Sequence, residues 1–82
     1  MVEVIFTEEF KRAFSKIKDN SVKESVIKHI EKVKTSPEIG KPMRFNRKGT
    51  REVYVGHFRL SYSYHNSKSI LYLLDFYHKD EQ

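Results

Sequence analysis

No cysteine occurs among the 82 residues. That excludes disulfides and thiolate zinc sites as supports for the fold and gives no sign of an oxidising compartment. Long hydrophobic runs are missing too, since the longest, residues 70–74, falls far short of the roughly 18 apolar residues of a membrane span. The chain therefore reads as soluble, unprocessed and cytoplasmic, with no membrane partner. Only three glycines are present, and they form neither a glycine-rich phosphate loop nor a nucleophile elbow. The four histidines, His29, His57, His65 and His78, include no helical i, i+4 pair and have no cysteine or paired-carboxylate context. A metal centre is not expected, and no cofactor is implied.

What is present is positive charge, unevenly placed. The net charge is +5 and the isoelectric point about 9.5. Between Lys41 and Arg59 lie Lys41, Arg44, Arg47, Lys48, Arg51 and Arg59 against the single acid Glu52, so this segment holds the whole excess. Such clustering is the footprint of a protein that binds a polyanion. A chain of this length forms one domain spanning residues 1–82, burying roughly 60–65% of its unfolded surface.

Hydrophobic periodicity places the elements. Residues 2–6 suit a short strand. Thr7, followed by two acids, suits a helix start, and Phe10, Ala13, Phe14 and Ile17 mark one face of a helix ending near Asp19. Ser21 and Glu24 form a capping box for a second helix with an apolar stripe of Val22, Val26, Ile30 and Val33. After Lys41 the period changes from 3.6 to 2, and strands are expected over 42–45, 51–55, 58–65 and 69–77. The expected architecture is α+β, in the order β-α-α-β-β-β-β, an antiparallel sheet with an N-terminal helical hairpin on one face.

Gly56-His57 has glycine first, as a type II′ two-residue hairpin turn requires, and this fixes a register. Val55 faces Phe58, Val53 faces Leu60 and Arg51 faces Tyr62. On the other side Tyr54 faces Arg59, Glu52 faces Ser61 and Thr50 faces Ser63. The helices should cover the apolar set, leaving Arg59 on the open face beside Tyr54, Glu52 and Ser61. An arginine held on a strand grips phosphate oxygens with a rigid fork; pairing with Glu52 on a wet surface is the plainer alternative. A three-residue loop at 66–68 would set Asp75 opposite Arg59, with Tyr77 and Lys79 on the open face. A loop of two or four would put Tyr72, Leu74, Phe76 and His78 there. The cost of burying Asp75 favours the first.

The element order, with "VGHFRLSYSY" at 55–64 and "DFYHKDE" at 75–81, resembles the RelE/ParE superfamily of toxins. Its Gly-x-(Tyr/His/Phe)-Arg-(Leu/Val)-x-Tyr segment is matched by Gly56, Phe58, Arg59, Leu60 and Tyr62. The resemblance covers essentially the whole chain. It implies a toxin of a type II toxin–antitoxin pair and, in the RelE-like branch, a metal-free endoribonuclease that cuts messenger RNA in the ribosomal A site by 2′-OH attack. By that resemblance Arg59 sits on the scissile phosphate. Lys79 matches a C-terminal basic residue, and His78 matches the near-terminal histidine of YoeB-like members. Glu52 stands where RelE-like members carry a lysine, though a glutamate serves as base in YoeB-like members. The tyrosine that many members place after the last basic pair has no counterpart before Gln82, and Tyr54 or Tyr77 could stand in.

On this reading the catalytic residues are Arg59, Glu52, His78 and Lys79, and Lys41, Arg44, Arg47, Lys48, Arg51 and Tyr54 bind RNA. The implied partners are the ribosome with its messenger, a RelB-like antitoxin, and operator DNA only as the toxin–antitoxin complex. Two other readings are open: a ParE-like gyrase inhibitor without nuclease activity, and a degenerate toxin acting as antitoxin partner or co-repressor.

Overall fold

The computed structural model describes residues 2–45 and 48–81. Strand β1 (Glu3–Phe6) leads into helix α1 (Glu8–Ser15) and helix α2 (Asn20–Thr35). A short 3-10 turn (Pro37–Ile39) then precedes β2 (Lys41–Pro42), β3 (Arg51–Val55), β4 (Phe58–His65) and β5 (Ile70–His78). The sheet has the order β1-β5-β4-β3-β2. The α+β class and the element order are those expected. The sheet, however, is mixed, because β1 pairs with β5 in parallel. The intervening helices supply the crossover that a parallel pair needs.

Local chemistry explains the helix starts. Thr7 caps α1, its Oγ1 accepting the Phe10 N–H at 3.3 Å. The cap of α2 is Asp19, two residues before the expected Ser21. Its carboxylate accepts the Ser21 N–H at 2.9 Å and the Ser21 hydroxyl at 2.7 Å. Aspartate satisfies two donors at once here, and those hydrogen bonds hold its carboxyl below the usual value.

Helix α1 lies over β5 and α2 over β3. Between helices and sheet sit Phe10, Val26, Ile30 and Val33 against Val53, Val55, Leu60, Tyr62, Leu71, Leu73 and Phe76. Tyr62 is fully buried, and its hydroxyl donates to the Pro37 carbonyl and accepts the Gly40 N–H at 2.9 Å. Burial pushes this phenol up from its ordinary 10.0.

The β3–β4 register is the one read from the turn, with all five pairs in place. Gly56 has φ +62, while His57 is outside the positive-φ set, as a type II′ turn requires. The β4–β5 register differs from expectation. The loop has four residues, His65 facing Ile70, and a bulge between Ser61 and Tyr62 adds one residue, Leu74, to β5. That extra residue inverts the alternation, so Leu71, Leu73 and Phe76 all face the core. Asp75 therefore opposes Ser61, and Arg59 opposes Tyr77 instead of Asp75.

The expected strand over 42–45 shrinks to Lys41–Pro42, which pair with Arg51 and Glu52. Phe45 then turns into the left-handed region at φ +60, which no strand can accommodate.

Candidate functional site

Two rows of side chains cross the sheet face away from the helices. One runs Lys41, Glu52, Ser61, Asp75 and the other Tyr54, Arg59, Tyr77. The register thus sets the strand arginine between two tyrosines. Its guanidinium carbon lies 3.9 Å from the centre of the Tyr54 ring, and Nη1 donates to the Phe58 carbonyl at 3.0 Å. Stacking on an aromatic face leaves the outer edge of the guanidinium for another ligand. Tyr54 is 57% exposed, so this platform opens to solvent.

Glu52 sits as the register requires, beside Ser61 and Lys41. Yet it is only 4% exposed, as is Ser61. The expectation that both lie open on this face is corrected. A carboxylate so enclosed does not present itself to a large ligand.

The end of the β3–β4 hairpin gathers a second set. His78, the last residue of β5, faces Phe58 across the pair and so points to the helix side of the sheet, opposite to Arg59. Its ring meets Phe58 edge-on at 5.3 Å between centroids and lies 6.2 Å from the ring of His57, with 26° between the planes. Its Nδ1 accepts the Asp80 N–H at 3.2 Å and stands 3.5 Å from the Asp80 carboxylate. Lys79 is exposed at the start of the terminal 3-10 turn, and its N–H donates to the His57 carbonyl at 2.9 Å. That bond ties the tip of the hairpin to the end of β5. Arg59, His78 and Lys79 thus share one end of the sheet, although Arg59 and His78 leave it on different faces.

The basic segment divides in two. Lys41, Arg44 and Lys48 are exposed, while Arg47 lies outside the described residues. Arg51 is half-buried, and its Nη1 donates to the carbonyls of Glu38 at 3.0 Å and Gly40 at 2.7 Å. This arginine fastens the segment after α2 to β3. Beside Arg44, Phe45 is 90% exposed.

Sequence reasoning did not single out His57 or Phe45 as functional. The first was readable only as a turn residue, since its proximity to His78 depends on the β5 bulge. The second lay inside an expected strand. Among the described residues no group of three or more His, Cys, Asp or Glu could hold a metal ion.

The chain matches, over residues 4–82, the model of a family described as the ParE toxin of the type II toxin–antitoxin system parDE. No curated protein matches. Among solved structures, the fold is similar to that in the RelBE2 toxin–antitoxin complex from Mycobacterium tuberculosis, with a TM-score of 0.84 at 24% identity over 94% of this chain and 96% of that one. It is similar to a YoeB/ParE toxin from Agrobacterium tumefaciens, with a TM-score of 0.85 at 15% identity over 94% and 98%. The intact RelBE toxin–antitoxin complex of E. coli gives a TM-score of 0.80 at 18% identity over 95% and 96%.

Proposed function

Since the chain belongs to the ParE toxin family, within the RelE/ParE superfamily of type II toxin–antitoxin toxins, we propose that it is a ribosome-dependent endoribonuclease that cuts messenger RNA in the A site and stops translation. The observation that carries this reading is the placement of Arg59, stacked 3.9 Å over an exposed tyrosine. At that end of the sheet the Lys79 side chain is exposed and His78 stands near the terminus.

In-line attack of a ribose 2′-OH on its own phosphate builds negative charge on the phosphoryl oxygens. A guanidinium fork fixed on a strand and a nearby ammonium stabilise that charge without reorganising. His78 takes part in proton transfer. The chemistry runs without a metal cofactor in the toxin. Lys41, Arg44, Arg47 and Lys48 hold RNA phosphates, a contribution that weakens as salt rises, with Tyr54 beneath the phosphate-binding arginine.

A second reading, inhibition of gyrase by protein contact, is favoured by the family model's own description as a ParE toxin. Under either reading the partner is an antitoxin of the RelB kind, whose segment covers the cationic surface and whose complex with the toxin binds operator DNA. Purified protein added to a reconstituted translation reaction and, separately, to a gyrase supercoiling reaction separates the two. Nuclease action arrests the first with cut messenger and leaves the second untouched. Blocked supercoiling with intact messenger supports the gyrase reading.

A further inference from the structure

Transphosphorylation by a 2′-OH needs one group to take the hydroxyl proton and another to give a proton to the departing 5′ oxygen. Of the two carboxylates in the open-face rows, Glu52 is 4% exposed and enclosed in the sheet, and Asp75 already accepts the Phe76 N–H at 2.8 Å. His78 is set for donation. The ring acts as an acid when both its nitrogens are protonated: the Asp80 carboxylate, 3.5 Å from Nδ1, then takes one N–H, and the Nε2 proton is the one given up. The place of the base remains to be filled.

The imidazole opposite is His57, exposed at the tip of the hairpin with its ring centre 6.2 Å from that of His78. Its position is held from two sides. The type II′ turn fixes its backbone through Gly56 at φ +62, and the Lys79 N–H bonds to its carbonyl at 2.9 Å. The ring of His78 is held in turn by the edge contact with Phe58, itself stacked 4.9 Å from Phe76. The two imidazoles, one on the β3–β4 turn and one at the end of β5, are tied through one backbone hydrogen bond and stand at the same end of the sheet as Arg59.

We propose that His57 is the general base of the cleavage reaction, paired with His78 as general acid; this rests on the nuclease reading given above. His57 takes the proton of the 2′-OH as the 2′ oxygen forms its bond to phosphorus. The bond from phosphorus to the 5′ oxygen breaks, and that oxygen receives the Nε2 proton of the His78 imidazolium. The products are a 2′,3′-cyclic phosphate and a 5′-OH, and exchange with water returns both rings to their starting states. When His78 carries both protons, the Asp80 Oδ2 at 3.5 Å from Nδ1 is the acceptor for the second. The charged groups around the pair are Asp80 and Lys79 on the terminal turn. A groove of about 980 Å³ is lined by His78 and Asp75 from β5 together with Glu9, Arg12, Lys16, Lys18 and Asp19.

The test is the rate of messenger cleavage on programmed ribosomes across pH, for the parent protein and for His57→Ala. The variant is expected to cut about 10²-fold more slowly or worse and to lose the fall in rate on the acid side. Added imidazole should restore part of the activity, while the thermal melt stays unchanged. A purely structural role for His57 moves neither the pH profile nor the response to imidazole. Should alanine disturb the turn and lower the melt, His57→Asn, which suits turn backbone, makes the same comparison. If the parent cuts and His57→Ala keeps its rate and its pH profile, the base assignment is overturned and the nuclease reading stands. If the parent leaves ribosome-bound messenger intact, both are overturned.

Discussion

The guanidinium of Arg59 lies over the ring of Tyr54, its carbon 3.9 Å from the ring centre, and the two residues are direct partners across β3 and β4. The stack settles the side chain before any ligand arrives. A cation over an exposed aromatic ring gains about 0.5–1 kcal/mol. Tyr54→Leu should therefore slow messenger cleavage by about two- to fivefold, and in a double-mutant cycle its effect should vanish once Arg59 is removed. Additive losses would mean that the tyrosine acts independently of the arginine.

Arg51 and Lys48, close in sequence, should respond oppositely to substitution. Arg51→Met removes a charged donor shared by the Glu38 and Gly40 carbonyls. Denaturant titration should show a loss of about 1–3 kcal/mol. Lys48→Met should leave stability unchanged, lower the affinity for ribosomes, and reduce the slope of log affinity against log salt by about one.

Tyr62 makes stability sensitive to alkali. Its folded-state ionisation is raised, chiefly by burial, so it stabilises the fold fully below the ordinary tyrosine value of 10.0. That contribution is lost as pH climbs from there through the raised folded value, because only the unfolded chain ionises readily. Tyr62→Phe should flatten this part of the stability–pH curve, at a cost near neutrality of about 1–3 kcal/mol for leaving the Gly40 N–H and Pro37 carbonyl without their partner. Chemical denaturation at pH 7 and above pH 10 checks both.

Gly40 owes its place to the same tyrosine. A Cβ there would stand 2.8 Å from Tyr62 Cε1, and the ring is fully buried and cannot swing clear. Gly40→Ala should cost about 1–3 kcal/mol, read as a fall in the denaturation midpoint.

Much of this was legible in the chain because period and turn chemistry are local. Gly56-His57 specified the β3–β4 pairing residue by residue, and the stripes Phe10–Ile17 and Val22–Val33 gave the helix faces that meet the sheet. The parts that were not legible depend on contacts between distant segments. No local signal marks the bulge at Leu74, which exists because Leu71, Leu73 and Phe76 all gain by facing the core. Together with the fourth loop residue it replaces Asp75 by Tyr77 opposite Arg59. The parallel pairing of β1 with β5 joins residues nearly seventy positions apart. Burial of Glu52 likewise follows from assembly, since alternation alone puts it on the face away from the helices. The position of Arg59, held in a hairpin, was therefore readable, while the approach of His57 to His78 was not, because it forms only when β5 docks.

The most direct test of the nuclease account is primer extension on messenger bound to programmed ribosomes, with the parent protein and Arg59→Ala side by side. The parent should cut within the A-site codon and leave a 5′-OH and a cyclic phosphate. Arg59→Ala, folded by its melt, should be slower by about 10²–10³-fold or more, and Arg59→Lys should fall short of the parent because an ammonium lacks the fork. Unchanged cleavage by Arg59→Ala would contradict the account at its centre.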